Sequence, residues 1–128
     1  MGDSRAVTST HKDPYENMYT VVRGYKDIIL YPPSDLPYMP YRSCKPAKYT
    51  RNCKEENGII KGKVSSSSLS IIDLDGPAVP WIVVDPLKPD FMRYPKFSQA
   101  SPFHIRLYAG DVLYLPSLWF HHLRQSKG

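Results

Sequence analysis

The sequence predicts an all-β domain in which short antiparallel strands form a sandwich or a barrel. Thirteen prolines in 128 residues leave little room for long helices, because proline lacks a backbone donor and clashes with the preceding turn. Apolar and β-branched residues occur in short runs, which is typical of strands. Pro- and Gly-rich segments separate these runs, as turns do in all-β folds.

The apolar runs give the positions of the strands. Two runs flank Gly24 and two flank Ala109-Gly110, so we predict that each pair forms antiparallel neighbours joined by a glycine turn. A separate short strand is predicted around Trp81, and the first strand leads into His11. The predicted strands cover residues 5–10, 18–22, 26–31, 79–84, 103–108 and 112–115.

Residues 45–78 are predicted to be a long polar loop inserted in this domain. The segment contains Gly58, Gly62 and a serine run from Ser65 to Ser68, a composition that favours a solvated loop. The length of the chain suits one domain, so we predict that residues 1–128 form a single domain without a second one.

The overall composition excludes several classes of protein. The formal net charge of +5 is explained by a solvated basic surface, and no nucleic-acid-binding motif organises the lysines and arginines. The two cysteines form no Cys-x-x-Cys pair, which excludes a zinc ribbon. No apolar run approaches the roughly 18 residues of a membrane span. We therefore expect neither a nucleic-acid partner nor a membrane location.

Two short motifs supply candidate metal ligands. His11 and Asp13 lie two residues apart, so on a strand their side chains point to the same face. This pair alone is more often a surface pair than a metal site. Downstream, Gly110 is followed after five residues by Pro116 and after four more by His121. Two histidines and one carboxylate on one face form the facial triad of non-haem iron oxygenases.

The adjacent His122 competes with His121 for the third ligand position. Neighbouring residues on a strand face opposite sides, so only one of the two can reach the metal. The spacing from Pro116 favours His121.

Together these motifs resemble the jumonji-C family of the cupin superfamily, whose fold is a double-stranded β-helix, or jelly roll. The resemblance is carried by His11-Lys12-Asp13, by Trp119-Phe120-His121-His122, and by shorter matches along most of the chain. It implies Fe(II) as cofactor, with His11, Asp13 and His121 as ligands. It also implies that Thr8 and Lys26 bind the co-substrate 2-oxoglutarate. We expect His122 and Trp119 to contact the metal ligands from behind, with packing alone as the alternative for His122. Manganese, zinc or nickel could replace the iron.

The resemblance further implies a protein hydroxylase, most similar to the lysyl hydroxylases of the family, with a translation-factor GTPase as protein substrate. Alternatives are a methyl-lysine demethylase, a histone-tail peptidase and a non-catalytic cupin binding module. We expect a cytoplasmic or nuclear location and a homodimeric parent protein. We also expect the chain to be an incomplete fragment, truncated at both ends, and to be inactive on its own.

Overall fold

The computed structural model describes residues 6–51 and 69–125. Within these residues the chain forms ten strands and two short 3-10 segments, and no helix is long and apolar enough to cross a membrane. The 3-10 segments are Pro33–Tyr38 and Pro95–Gln99, and each begins with a proline. The strands are β1 (Val7–Lys12), β2 (Asn17–Thr20), β3 (Tyr25–Tyr31), β4 (Tyr41–Cys44), β5 (Ala47–Arg51), β6 (Leu69–Asp73), β7 (Val79–Ile82), β8 (Phe103–Tyr108), β9 (Val112–Leu115) and β10 (Phe120–Gln125).

A four-stranded antiparallel sheet in the order β1-β10-β3-β8 is the centre of the fold. Strands that are adjacent in this sheet are distant in the sequence, and the last described strand, β10, lies between β1 and β3. The remaining strands form three two-stranded sheets, β2-β9, β4-β7 and β5-β6. These antiparallel pairings confirm the all-β prediction and agree with a jelly roll.

Buried apolar side chains lie on both faces of the four-stranded sheet. Ile28 and Leu30 of β3 pack on one face with Leu115 of the β2-β9 sheet. Ile29 and Tyr31, which alternate with them, pack on the other face in a second cluster. We call these faces the inner face and the outer face respectively. The inner-face cluster is completed by Val21, Leu107 and Leu123, and the outer-face cluster by Met39, Ile82, Val84, Phe97 and Phe120.

The predicted pairing of strands across the two glycine turns is wrong. Although Gly24 has a positive φ of 77°, the strands on either side of it separate: β2 pairs with β9, and β3 pairs with β10 and β8. The strands around Gly110 separate in the same way, so that β8 joins β3 while β9 joins β2. In each case the chain crosses from one sheet to the other at the turn, because a jelly roll pairs strands that are distant in sequence.

The prediction of a loop across residues 45–78 is wrong at both ends of the segment. There β5 and β6 pair, with Tyr49 opposite Ile71 and Lys48 opposite Ile72. Most residues of β5 are polar, so no apolar run marks it as a strand in the sequence. Residues 52–68, which hold the two glycines and the serine run, lie outside the described residues. Contacts divide the chain into two compact units, Met1–Arg42 with Trp81–Gly128, and Ser43–Pro80. The single-domain prediction stays a prediction.

Candidate metal centre

Three side chains that the sequence singles out converge at the end of β1. His11 lies near the end of this strand and Asp13 follows it directly. The antiparallel register places His121 of β10 opposite His11, and their ring centroids are 4.2 Å apart. His11 Nε2 lies 3.8 Å from Asp13 Oδ1, and His121 Nε2 lies 3.7 Å from Asp13 Oδ2. One donor atom from each residue falls within 4.8 Å of the others.

Backbone carbonyls fix which nitrogen of each histidine faces the centre. Nδ1 of His11 donates to the Ser9 carbonyl at 2.8 Å, and Nδ1 of His121 donates to the Trp119 carbonyl at 3.1 Å. In both cases the acceptor lies two residues earlier. Because a carbonyl can only accept, both Nδ1 atoms carry a proton, so in the neutral form of each ring the Nε2 atom presents a lone pair. Such outer hydrogen bonds are a regular feature of metal-binding histidines.

The two Nε2 atoms, in their neutral rings, and the carboxylate of Asp13 are all hydrogen-bond acceptors, so none of the three groups donates to another. His121 Nε2 is buried and has no hydrogen-bond partner within the described residues. Burial also lowers the pKa of His121, which favours the neutral, metal-binding form of the ring. Two imidazole lone pairs that face a carboxylate, at separations too long for hydrogen bonds, fit a divalent cation held between them. The donor set suits iron, manganese, zinc or nickel.

A neighbouring side chain orients the carboxylate. Nδ2 of Asn17, the first residue of β2, donates to Asp13 Oδ2 at 3.4 Å. The backbone N–H of Leu118 donates to the Asp13 carbonyl at 2.8 Å and so joins the two ligand-bearing segments just before β10. Leu118 has a φ of 66°, a left-handed conformation that is uncommon for a residue other than glycine.

A β-bulge in β1 brings Thr8 to the face of the sheet that carries the metal ligands. Between Thr8 and His11, β1 advances three residues, whereas β10 advances only two, from His121 to Leu123. Thr8 and His11 are three residues apart, so on a regular strand they would point to opposite faces. In the bulged strand Thr8 lies opposite Leu123 and His11 opposite His121, so both belong to the inner face.

Lys26 lies on the same inner face, farther from the ligands. It alternates with Ile28 and Leu30 on β3 and is half-buried. Its ammonium lies 5.7 Å from the centre of the Tyr19 ring, and the same ring contacts His121 edge-on with centroids 6.2 Å apart. Tyr19 is thus the contact between the lysine and the metal ligands. Burial, and then the charge of Asp13, raises the pKa of Tyr19.

Comparison with known proteins identifies the family. The Cupin-like domain family matches residues 1–128. The chain is 46% identical over 129 residues to the human bifunctional peptidase and (3S)-lysyl hydroxylase JMJD7, with 100% of the chain and 37% of the relative covered. It is 43% identical to JmjC domain-containing protein E of Dictyostelium discoideum, covering 99% of the chain and 36% of the relative. The chain belongs to the cupin-like jumonji-C family.

A third relative, the lysine-specific demethylase JMJ32 of Arabidopsis thaliana, is 35% identical to this jumonji-C domain, with 100% of the chain and 36% of the relative covered. The domain therefore spans little more than a third of the length of these relatives.

His122 of this jumonji-C domain points away from the ligands. It alternates with His121 on β10 and lines a cavity of about 370 Å³ on the outer face, together with Asp27, His104, Arg106 and Arg124. The side chain is 4% exposed, and neither ring nitrogen has a hydrogen-bond partner within the described residues. The expected contact of His122 with the metal ligands receives no support from this placement, and packing stays the alternative. Trp119, in contrast, contacts the metal centre through the carbonyl that accepts from His121.

Four residues at this centre were not predicted from the sequence. Asn17 and Tyr19 alternate on β2, and this shared face was their only local signal. Ser9 contributes a backbone carbonyl, for which a sequence has no signal. Trp81 lies 70 residues after His11, yet their rings are parallel with centroids 6.1 Å apart. Only the folded chain brings these two rings together.

Proposed function

We propose that this jumonji-C domain is the catalytic core of an Fe(II)- and 2-oxoglutarate-dependent oxygenase that hydroxylates a lysine of a protein substrate. The observation that carries the proposal is the buried, unpartnered Nε2 of His121, which faces Asp13 beside the Nε2 of His11. A group of this kind costs stability unless a ligand satisfies it, and a metal ion is the ligand that the three donors fit.

The residues of the chain then take distinct roles. His11, Asp13 and His121 would hold the metal through one donor atom each. Thr8 and Lys26, both on the inner face, bind the far carboxylate of 2-oxoglutarate through a hydroxyl and an ammonium group. When bound, iron and 2-oxoglutarate together supply the chemistry that uses O₂ to hydroxylate an unactivated C–H bond.

The distance between the ligands and Lys26 suits this arrangement. Lys26 lies opposite Gln125, four residues along β10 from His121, which corresponds to roughly 13 Å at the usual rise of a strand. A lysine side chain and a five-carbon dicarboxylate, laid end to end, span such a gap. The ring of Tyr19 forms a wall between the two ends.

Lysine as the target follows from the relatives. The human relative is named a (3S)-lysyl hydroxylase and is 46% identical, whereas the relative named a demethylase is 35% identical. We therefore favour hydroxylation at C3 of lysine over demethylation. The sequence has no His-Glu-x-x-His motif to support peptidase action. A translation-factor GTPase as substrate, a homodimeric parent and a cytoplasmic or nuclear location are parts of the same proposal that await tests.

Anaerobic titration of Fe(II) and 2-oxoglutarate tests the proposal, because the chelate of the two has a visible charge-transfer absorption. We expect the band in the wild type and in His104→Ala, which changes an exposed histidine on the outer face. It should be absent in His121→Ala. On admission of O₂, the longer parent protein should add the mass of one oxygen atom to a lysine-containing substrate. A folded, iron-loaded wild type without the band would leave only the non-catalytic cupin.

A further inference from the structure

Trp81 is held beside the metal centre by its own strand. The next residue, Ile82, is buried in the outer-face cluster, as is Val84, and the N–H of Val83 donates to the Pro40 carbonyl at 3.1 Å. The indole ring lies parallel to the His11 ring, with an interplanar angle of 4°. Centroids 6.1 Å apart are within the range of offset aromatic pairs. The backbone of Trp81 is therefore fixed next to a metal ligand.

The burial of the three ligands shows from which side the centre can be reached. The side chain of His121 is only 1% exposed, whereas those of His11 and Asp13 are 21% and 33% exposed. A substrate must therefore approach over His11 and Asp13. Trp81 borders this opening, because its ring contacts His11, and 41% of its surface is exposed. A large aromatic residue left open beside a binding centre suits contact with a ligand.

We propose that Trp81 is the specificity-determining residue that binds the substrate lysine side chain. The proposal rests on the proposed lysyl hydroxylation. When C3 of lysine is at the metal, C4 to C6 and the ammonium group extend beyond it, and in this proposal they lie along the exposed side of His11 against the indole ring. The indole face offers an apolar surface for the methylene groups and the strongest cation–π partner among the amino acids for the ammonium group.

Binding of a minimal substrate tests this directly. The probes are Nα-acetyl-lysine N-methylamide and its norleucine counterpart, which keeps the methylene groups but lacks the charge. Their dissociation constants are measured by NMR titration on the protein loaded with Zn²⁺ and N-oxalylglycine, an unreactive analogue of 2-oxoglutarate. The variants are Trp81→Leu and Trp81→Phe. Phe91→Leu serves as the control, because it changes another exposed aromatic residue, which stacks on Phe97 away from the ligands.

We expect the wild type and the control to bind the lysine probe about threefold to thirtyfold more tightly than the norleucine probe, the range of a cation–π contact. Trp81→Leu should bind both equally, and Trp81→Phe should retain part of the preference. The anaerobic Fe(II)–2-oxoglutarate band should be unchanged in all variants.

Three results would overturn the inference. The first is equal binding of both probes by the wild type, and the second is a lysine preference that survives in Trp81→Leu. The third is loss of the band in Trp81→Leu, which would make Trp81 a support for His11 rather than a substrate contact. Failure of the proposed function has a different signature, because the band would then be missing in the wild type itself.

Discussion

Replacement of His121 by leucine should separate stability from metal binding. The buried Nε2 of His121 has no partner within the described residues and faces the carboxylate of Asp13 at 3.7 Å. Without metal this arrangement is unfavourable, because a desolvated acceptor faces another acceptor. Leucine has a similar volume and no polar atom, so it removes this cost together with the metal ligand.

The size of the effect follows from two opposing contributions. An unsatisfied buried polar group costs about 1–3 kcal/mol, and the hydrogen bond from Nδ1 to the Trp119 carbonyl contributes about 0.5–1.5 kcal/mol. The metal-free variant should therefore range from about 0.5 kcal/mol less stable to about 2.5 kcal/mol more stable than the wild type. With free metal at 100 times its Kd, the wild type gains about 2.7 kcal/mol, and the variant gains little.

Thermal unfolding with and without Mn²⁺ measures both effects. The metal should raise the Tm of the wild type by about 10 °C, taking about 4 °C for each kcal/mol, and should leave that of His121→Leu nearly unchanged. The control is His104→Leu, which replaces an exposed histidine and should keep the metal response. A metal-free His121→Leu that is more than about 2 kcal/mol less stable than the wild type would refute the reasoning, since losses of that size mark a disrupted core. So would a wild type whose Tm does not respond to the metal.

Three further predictions concern the core, the pH dependence and the co-substrate. Ile28→Ala removes a side chain that is 1% exposed and should cost about 2–5 kcal/mol in urea unfolding, whereas Val22→Ala, at 90% exposure, should change the stability by less than about 0.5 kcal/mol. Burial, and then the charge of Asp35, raises the pKa of Tyr31 to about 12. The folded state therefore keeps a proton that the unfolded chain releases near pH 10, so stability should be complete below about pH 10 and fall as the pH rises toward 12. Tyr31→Phe should flatten this fall, and a wild-type denaturation midpoint that stays constant over this range would contradict the assignment. Lys26→Met should weaken 2-oxoglutarate binding roughly tenfold to a hundredfold, the loss of a charged hydrogen bond, as measured by titration of the iron chelate band; unchanged binding would place the co-substrate elsewhere.

The candidate site was predictable from the sequence because its main signals are local. His11 and Asp13 lie on one face through the period of a strand, and the spacing from Pro116 selected His121 over its neighbour. Lys26 alternates with Ile28 and Leu30 and therefore shares their face for the same reason. Each of these inferences needs only the geometry of one short segment.

The pairing of the strands was not predictable in this way, because it depends on contacts between distant segments. The two glycine turns have local signals of hairpins, yet the core is completed only when the strands on either side enter different sheets. The same limit applies to Asn17, whose amide reaches Asp13 across a turn, and to Trp81, which meets His11 from a distant strand. Side chains that meet through tertiary structure leave little trace in a single sequence.

The bulge in β1 determines which side chains of that strand share a face of the sheet, and the site depends on this sharing. His11 is the third residue after Thr8, so a regular strand would place the side chain proposed to bind the co-substrate and the metal ligand on opposite sides of the sheet. The extra residue corrects this, and Ser9, displaced from the ladder, turns its carbonyl to the His11 ring. With three residues from Thr8 to His11, a regular ladder would keep every functional side chain in the sequence and still divide the one site into two halves on opposite faces. In this fold an irregularity of one residue is therefore as much a part of the chemistry as the ligands themselves.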